Sequence, residues 1–422
     1  MPLIGTRAAA SARGFGLFGL GGGYWFATLD GSGAEAGSKI ALDATNNVYV
    51  AGFASAINSI LITKYNNSGA LEWQRTLGGS VTFSTGALIG ITSSSSGNIY
   101  VVATSLGQTT VFIAKYNTSG VIQWQRELTS SIVCQRITLD LSENVYIIGY
   151  STASSECFIA KYNSSGVLQR QDSLTAYSSY GYDIKVDSSG NIYVVGYYQF
   201  GSQNVFIAKL NSGYGILWQR ALDSLRGDRG HAVAFDASSN VYITGIADSS
   251  TGALIAKYNS SGTIQWQKQL GLPSNAHQGY DIAVSGSSLY IVGSTNTDIL
   301  LAKYDTGGTL QWQRTITSSG NNVGYGVALS SYGDVYLTGS VNSSGLTNSR
   351  IFIGKIPADG SKTGTYVVGG LSITYASASL TDTATSYTDP GVFFGGGLPT
   401  QTDAAGTRTD AAGTLTAATT VI

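Results

Sequence analysis

Short runs of apolar, β-branched and aromatic residues recur along the chain, separated by turns rich in Gly, Asn and Ser. In the stretch 231–270, an alternating run, HAVAFD, precedes an apolar run, VYITG, and the runs ALIAKYN and TIQWQKQL follow. Apolar or alternating runs of about four to eight residues with such boundaries are typical of β-strands. Each stretch of this kind therefore predicts four consecutive strands.

Three residue types repeat along the chain with one common period of about 46–52 residues. The tryptophans are Trp25, Trp73, Trp124, Trp218, Trp266 and Trp312, with Arg170 at the equivalent place between Trp124 and Trp218. The lysines are Lys64, Lys115, Lys161, Lys209, Lys257, Lys303 and Lys355. The tyrosines are Tyr49, Tyr100, Tyr146, Tyr193, Tyr242, Tyr290 and Tyr336. Four strands per repeat of this length indicate one blade of a β-propeller.

The count of strands indicates how the ring closes. The first three strands of a blade recur seven times, but the Trp-marked fourth strand first appears at Trp25, ahead of any complete blade. No Trp follows the last triple, which ends near Lys355. We therefore expect YWFATL, residues 24–29, to supply the outer strand of the last blade. The sequence predicts an all-β, seven-bladed propeller over 23–357, an N-terminal arm over 1–22 and a partly β, Thr/Ala/Gly-rich extension over 358–422.

The repeated residues are best explained as parts of the scaffold. One Trp in every outer strand indicates packing between adjacent blades, because a ligand platform would not need a copy around the whole ring. We expect each Lys to lie along its sheet, with the ammonium in solvent or paired with a turn carboxylate. The Tyr of each second strand is expected to be buried with its hydroxyl hydrogen-bonded.

Composition and motifs argue against several functions. Charged residues make up 11% of the chain and its net charge is −1, so we expect no nucleic-acid partner and no charged membrane patch. No apolar run reaches the ~18 residues of a membrane span. Only His231 and His277 are present, and no P-loop, EF-hand or CxxC motif occurs. The sequence thus predicts no catalytic, cofactor-binding or metal-binding residues, and a protein that is not an enzyme.

Three smaller features complete this picture. His231 lies beside Arg226, Asp228 and Arg229, which favours a solvated charged loop over a catalytic site. Cys134 and Cys157 are too few for a disulfide framework, and a single bridge between them is left open. The N-terminus has no continuous apolar segment of a secretory signal, so none is predicted.

The extension over 358–422 contains the motif TDAAGT twice, beginning at Thr402 and Thr409. A spacing of seven residues raises the question of a coiled coil, but the apolar residues of such a heptad are absent. Its Thr/Ala/Gly-rich composition is typical of a disordered tail, whereas the stretch 363–380 keeps the alternation of strands.

The repeats have the form (S/D)xxGNIYVxGx…IxIAKYNSSGxIQWQRxL over 23–357. In this they resemble the SBBP-type propeller repeats of bacterial surface proteins and of virion proteins of tailed, especially marine, phages. The N-terminal IGTRAAASARGFGLFG and the TDAAGT-rich end resemble the phage versions. The segment 305–315, DTGGTLQWQRT, also resembles a pyrroloquinoline-quinone-type repeat, without the cofactor-binding residues of such enzymes.

This resemblance implies a non-enzymatic phage virion protein, a tail fibre or tail-associated adhesin made in the host cytoplasm. Residues 1–22 would dock it to other virion proteins, with 358–422 as a second candidate contact, and a homo-oligomer is expected. Variable loops between second and third strands would meet a host-surface glycan or protein. The most aromatic loop carries Tyr197, Tyr198 and Phe200, which we predict stack on sugar.

Two alternatives to this function stay open at the sequence level. One is a bacterial surface or periplasmic propeller, acting as a binding module or as a quinoprotein-like enzyme. The other is a purely structural virion subunit that decorates the particle or joins fibres.

Overall fold

The structure of the chain is a computed structural model. It describes residues 23–30, 34–55, 58–78, 83, 89–108, 110–129, 131–175, 177–224, 227–247, 252–271, 277–342 and 349–385, and the backbone of 395–397, 402–405, 409–412 and 416–421. The predicted arm over 1–22 lies outside these residues.

The strands form seven antiparallel sheets, each with four strands that run in order from the centre of the ring to its rim. Blade 1 consists of β2 (Glu35–Leu42), β3 (Val48–Ala54), β4 (Ser59–Tyr65) and β5 (Leu71–Gly78). Blade 2 consists of β6 (Ile89–Ser93), β7 (Ile99–Thr104), β8 (Thr110–Tyr116) and β9 (Ile122–Thr129). Blade 3 consists of β10 (Ile132–Leu139), β11 (Val145–Ser151), β12 (Cys157–Tyr162) and β13 (Leu168–Thr175).

The next blades follow the same order along the chain. Blade 4 consists of β14 (Ser178–Val186), β15 (Ile192–Phe200), β16 (Ser202–Leu210) and β17 (Ile216–Leu222). Blade 5 consists of β18 (Arg229–Phe235), β19 (Val241–Ala247), β20 (Gly252–Tyr258) and β21 (Ile264–Leu270). Blade 6 consists of β22 (Gln278–Ser285), β23 (Ser288–Ser294), β24 (Ile299–Asp305) and β25 (Leu310–Thr317).

Blade 7 is built from both ends of the propeller. Its strands are β26 (Val323–Leu329), β27 (Val335–Val341), β28 (Arg350–Ile356) and β1 (Trp25–Asp30). The strand β1 runs antiparallel to β28, with Trp25 opposite Lys355, as Trp73 is opposite Lys64 in blade 1. The predicted seven-bladed propeller, closed by an N-terminal strand, is confirmed.

The hydrophobic core is divided among the seven interfaces between neighbouring blades. In the interface of blades 1 and 2, for example, Tyr49 and Ile62 belong to the same buried cluster as Ile91 and Tyr116. Because each second and third strand is covered on both faces, these strands are apolar throughout rather than alternating. The hydroxyl of Tyr49 donates to Asp43 in the turn before it (2.9 Å), and the same bond recurs in blades 3, 4 and 5.

Each outer-strand Trp contacts the turn that follows the third strand of the next blade. The indole nitrogen of Trp73 donates to the carbonyl of Thr118 (3.1 Å), and the ring covers Gly120. A Cβ at Gly120 would lie 2.9 Å from the indole, and its φ of 72° is left-handed, so glycine is required there. The same bond is made by the other tryptophans, Trp25, Trp124, Trp218, Trp266 and Trp312.

The C-terminal extension wraps around the rim of the propeller. After β29 (Gly364–Val368), five strands each pair with the outer strand of a blade, and β35 pairs with β1. They are β30 (Leu371–Ser377) on blade 6, β31 (Asp382–Ala384) on blade 5, β32 (Gly395–Gly397) on blade 3, β33 (Thr402–Ala405) on blade 2, β34 (Thr409–Ala412) on blade 1 and β35 (Thr416–Val421) on blade 7. We call these six strands, β30 to β35, the belt.

The belt explains the seven-residue spacing of the TDAAGT motif. The strands β33, β34 and β35 begin at residues 402, 409 and 416 and pair with consecutive blades. Thr402 is opposite Thr129, and Thr409 is opposite Gly78, so the register on blade 2 is repeated on blade 1. One heptad of the extension therefore spans one blade, and the disordered tail suggested by its composition is not what the described strands form.

Candidate functional site

Blade 4 carries the longest central hairpin of the propeller. Its strands β15 and β16 have nine residues each, whereas the second and third strands of the other blades have six or seven. A single residue, Gly201, joins them with a φ of 75°. The hairpin therefore extends beyond its equivalents on the side of the ring where the inner strands begin, which we call the top face. The opposite side, with the Asp-containing turns, is the bottom face.

An exposed group of aromatic rings lies at the tip of this hairpin. The side chains of Tyr177 and Phe200 are 59% and 62% exposed, with ring centroids 4.7 Å apart. Tyr198 is buried beneath them, 6.2 Å from Tyr177 and stacked with it. Tyr177 has a φ of 42°, an uncommon left-handed conformation for a bulky residue. We call Tyr177, Tyr198 and Phe200 the aromatic patch.

The structure thus separates the three aromatic residues singled out in this loop. Tyr198 and Phe200 belong to the patch, but Tyr197 does not, because neighbouring side chains of a strand point to opposite faces. Tyr197 is 9% exposed, stacks on Tyr180 (4.6 Å) and carries the guanidinium of Arg229 over its ring (5.2 Å). Tyr177 was missed, because it precedes an inner strand rather than lying between second and third strands.

A second set of aromatic side chains surrounds the central channel. In six inner strands the register with the second strand shifts by one residue, as between Gly230 and Ala232, leaving one residue unpaired. Such a bulge redirects a side chain. In consecutive blades from 4 to 7, the unpaired residues are Tyr182, His231, Tyr280 and Tyr325.

These four rings form a continuous arc, which we call the collar. Centroid distances are 5.4 Å from Tyr182 to His231, 5.3 Å from His231 to Tyr280 and 5.3 Å from Tyr280 to Tyr325. His231 is 6% exposed, and its Nδ1 donates to the carbonyl of Gly279 (2.9 Å). The solvated loop expected around this histidine is therefore wrong: its side chain is sandwiched in the channel.

The residues that follow the bulges form a charged layer. The ammonium of Lys39 contacts the carboxylate of Asp281 at 2.9 Å and donates to the carbonyls of Tyr280 and Tyr325. Arg136 faces Asp183 at 3.8 Å. Each aspartate also accepts a backbone N–H from the inner strand of the next blade, Asp183 from Val233 and Asp281 from Val327. The layer therefore ties inner strands together across the channel.

The electrostatics of the channel follow from this burial and pairing. Burial, with added repulsion from Arg136, lowers the pKa of Lys39 to about 7, although Asp281 acts in the opposite direction. Burial opposes ionisation of Asp281, but the charges of Lys39, Arg136 and Lys185 outweigh it and hold its pKa below the usual value. Burial also lowers the pKa of His231 to about 4. The histidine is therefore neutral at pH 7, whereas Asp281 is ionised.

A cavity of 390 Å³ lies below the charged layer and is lined by inner strands of all seven blades. At its inner end, Lys39 and Asp281 are buried; towards the bottom face, Leu42, Phe235 and Leu329 are partly exposed. The positions two residues beyond the charged layer carry small side chains in most blades and leave the space open. The small side chains that line the cavity at this level are Ala41, Thr92, Ala234, Ala283 and Ala328, whereas Lys185 occupies the equivalent position in blade 4.

Metal clusters and membrane-spanning helices are absent from the part of the chain that the structure describes. No group of three or more His, Cys, Asp or Glu side chains is arranged to hold a metal ion there. No helix among those residues is long and apolar enough to cross a membrane. Cys134 and Cys157 are both buried and unbridged.

Comparisons with known proteins find similar structures but no sequence family. No family model and no curated protein matches the chain. The chain is similar to polysaccharide lyase Uly1, with 10% identity over 76% of this chain and 90% of the lyase, and a TM-score of 0.49. It is also similar to a "putative 6-phosphogluconolactonase" from Bacteroides fragilis, with 12% identity over 80% of this chain and 94% of that one, and a TM-score of 0.42. A protein of unknown function from Bacteroides caccae has 12% identity, covers 58% of this chain and 93% of its own, and has a TM-score of 0.39.

These comparisons correct one prediction from the sequence. The expectation that the chain is not an enzyme is contradicted: a polysaccharide lyase and a putative 6-phosphogluconolactonase are among the structures similar to it, at 10% and 12% identity. The scarcity of histidine and the lack of catalytic motifs were insufficient grounds to exclude catalysis. The chain is a seven-bladed propeller, and its finer resemblance to virion propellers stays a prediction.

Proposed function

We propose that this propeller is a host-recognition protein of a tailed-phage virion that binds surface carbohydrate at the aromatic patch of blade 4. The observation that carries the proposal is the exposure of Tyr177 and Phe200 side by side on the longest hairpin of the top face. Exposed apolar surface of this kind marks an interaction site, and aromatic rings offer flat faces to the C–H groups of a sugar.

The backbone of Tyr177 gives further support. A left-handed φ in a bulky residue costs about 1–3 kcal/mol, and such strain is concentrated at functional sites. On the opposite face of the hairpin, Arg229 donates from Nε to the side-chain oxygen of Gln203 (2.8 Å), and Asp228 donates its N–H to the Gln203 carbonyl (2.7 Å). Blade 5 therefore braces the hairpin, so the rings need little ordering when a ligand binds.

The virion assignment rests on the resemblance of the repeats and both termini to phage propellers. In this role residues 1–22 dock the chain to other virion proteins, and a homo-oligomer presents several copies of the patch. Mass spectrometry of purified virions tests the location: the chain should be found among the particle proteins. Its absence from particles would favour the bacterial surface propeller.

The recognition site is tested by binding of purified protein to an array of bacterial surface polysaccharides. We expect wild-type protein to bind at least one polysaccharide, and the variants Tyr177→Asn and Phe200→Ser each to bind about tenfold more weakly. Asn is chosen because it tolerates a left-handed backbone while removing the ring. Since both side chains are exposed, thermal unfolding should shift little.

A matched control variant distinguishes specific recognition from non-specific adsorption through exposed aromatic rings. Tyr332 is 68% exposed in a bottom-face turn of blade 7, so Tyr332→Ser removes an equally exposed ring far from the patch. This variant should bind as the wild type does. Equal binding by all three variants would reject the patch, and no binding by the wild type would favour a purely structural subunit.

A further inference from the structure

The cavity on the bottom side of the charged layer is a feature that recognition at the top face does not use. It is lined by inner strands of all seven blades, whereas none of the collar residues lines it. Its volume of 390 Å³ falls within the range of small-molecule sites, about 300–1,000 Å³. The partly exposed Leu42, Phe235 and Leu329 place its mouth on the bottom face.

The charges around this cavity do not balance. Three basic side chains, Lys39, Arg136 and Lys185, face two carboxylates, Asp183 and Asp281, so basic groups outnumber acidic ones by one. Lys39 is fully engaged, because its ammonium has one carboxylate and two carbonyl acceptors. It is therefore a structural group rather than a free binding group.

Lys185 is different, because its half-buried ammonium has no hydrogen bond or ion pair among the described residues. The equivalent positions in the other blades carry Ala or Thr, so this lysine is the one long cationic side chain at its level of the cavity wall. Arg136 lies one level deeper; its Nη1 donates to the carbonyl of Gln135 (3.0 Å), which leaves other guanidinium N–H groups available.

We propose that this cavity is a binding site for a small anionic ligand, whose carboxylate or phosphate group bonds to Lys185 and Arg136. The ammonium and the guanidinium both donate hydrogen bonds to such groups, and the low polarity of the Ala-lined wall strengthens the attraction. Carboxylate and phosphate share this chemistry. The size of the cavity suits a sugar acid or a sugar phosphate, and the rest of the ligand contacts the small side chains.

Isothermal titration calorimetry with three probes that share a hexose ring tests the site. D-glucuronate carries a carboxylate, glucose 1-phosphate carries a phosphate, and glucose is neutral. We expect at least one of the two anions to bind, with an affinity that falls as NaCl is raised, and glucose not to bind. Binding of only one anion identifies which group the site takes. No binding of either anion, or equal binding of glucose, would overturn the proposal.

Variants of Lys185 show whether the cavity is the place of binding. Lys185→Met should weaken binding of the anion at least tenfold, whereas Lys185→Arg keeps the charge and should stay within about threefold of wild type. Lys362→Met removes one exposed positive charge outside the channel and should leave the affinity unchanged. Unchanged affinity in Lys185→Met would overturn the assignment. Thermal unfolding of each variant without ligand shows that the fold is retained.

Discussion

At the scale of single residues, neighbouring blades contact each other through a large aromatic ring on one side and a glycine in a turn on the other. In blade 3, where Arg170 replaces the Trp, the facing turn of blade 4 replaces its glycine by Tyr214. The guanidinium of Arg170 lies 4.5 Å above the Tyr214 ring, and Tyr214 has the left-handed φ, 66°, of the glycines. The aromatic ring is thus supplied by the turn of blade 4 instead of the outer strand of blade 3, and the two substitutions compensate each other.

This compensation predicts a non-additive pair of mutations. Arg170→Trp alone should destabilise, because the indole meets the Tyr214 ring instead of a glycine, by about 1–3 kcal/mol. Tyr214→Gly alone leaves a void and should cost about 2–5 kcal/mol. The double variant restores the pair of the other blades and should lose much less than both together. Urea unfolding measures the three variants, and additive losses would contradict the compensation.

His231 predicts how stability depends on pH. Burial lowers its pKa to about 4, below the ordinary 6.5, so the folded protein binds fewer protons than the unfolded chain between these values. Stability is therefore lost as pH falls from 6.5 towards 4, by about 3 kcal/mol for this group. His231→Phe keeps a ring between Tyr182 and Tyr280 and should have a smaller drop in melting temperature over that range. An equal drop in both proteins would assign the acid sensitivity elsewhere.

At the scale of elements, the belt covers strand edges that a four-stranded blade leaves open at its rim. Its strands add to one blade after another with the same register, as Thr402 opposite Thr129 and Thr409 opposite Gly78 show. The strands β33 and β34 share the sequence TDAA and pair with their blades in one register. The seven residues from one of these strands to the next match the step from one blade to the next, whereas β30 also packs Leu371, Ile373 and Tyr375 into the core.

Removing part of the belt should expose particular backbone amides. A chain truncated after residue 400 loses β33, β34 and β35 but keeps β30 and β31. Hydrogen exchange should quicken at least tenfold at rim-facing amides of β9, β5 and β1, and should not change in β21 and β25, which keep their belt strands. Unaltered exchange in β9, β5 and β1 would show that the belt does not pair with the blades.

The blades could be predicted from the sequence, whereas the belt could not. Six of the seven blades repeat a Trp, and all seven repeat a Lys and a Tyr, so the period is visible in residue types. In the belt, only the spacing of Thr402 and Thr409 is visible in the sequence. That spacing can be interpreted only when it is known that consecutive belt strands pair with consecutive blades. The collar in the channel could not be predicted either. Tyr182 and His231 are different residue types, and they come together because each lies at a backbone bulge of its inner strand.

At the scale of the whole molecule, the first and last strands that the structure describes meet at blade 7. The strand β1 is held between β28 and β35, and its Trp25 and Phe26 are completely buried. Deletion of residues 1–30 should therefore prevent a stable fold, whereas deletion of 1–22 should leave the melting temperature close to that of the full chain. Soluble yield and thermal unfolding compare the two. A stable protein without β1 would contradict closure of the ring by this strand.

The whole molecule also keeps its two proposed binding regions apart. The aromatic patch lies on the top face at blade 4, and the anion cavity opens on the bottom face, with the collar and the charged layer between them. Such a division allows a ligand in the channel and a surface carbohydrate to bind at the same time. It also makes the two proposals independent, since each can fail alone.

Carbohydrate recognition at blade 4 is tested by hydrogen–deuterium exchange of the full chain with and without a polysaccharide that it binds. We expect slower exchange in the peptides that contain Tyr177 and the 198–203 tip of the hairpin, and no change in the bottom-face turns. Protection confined to the bottom face, or to blades other than blade 4, would contradict it.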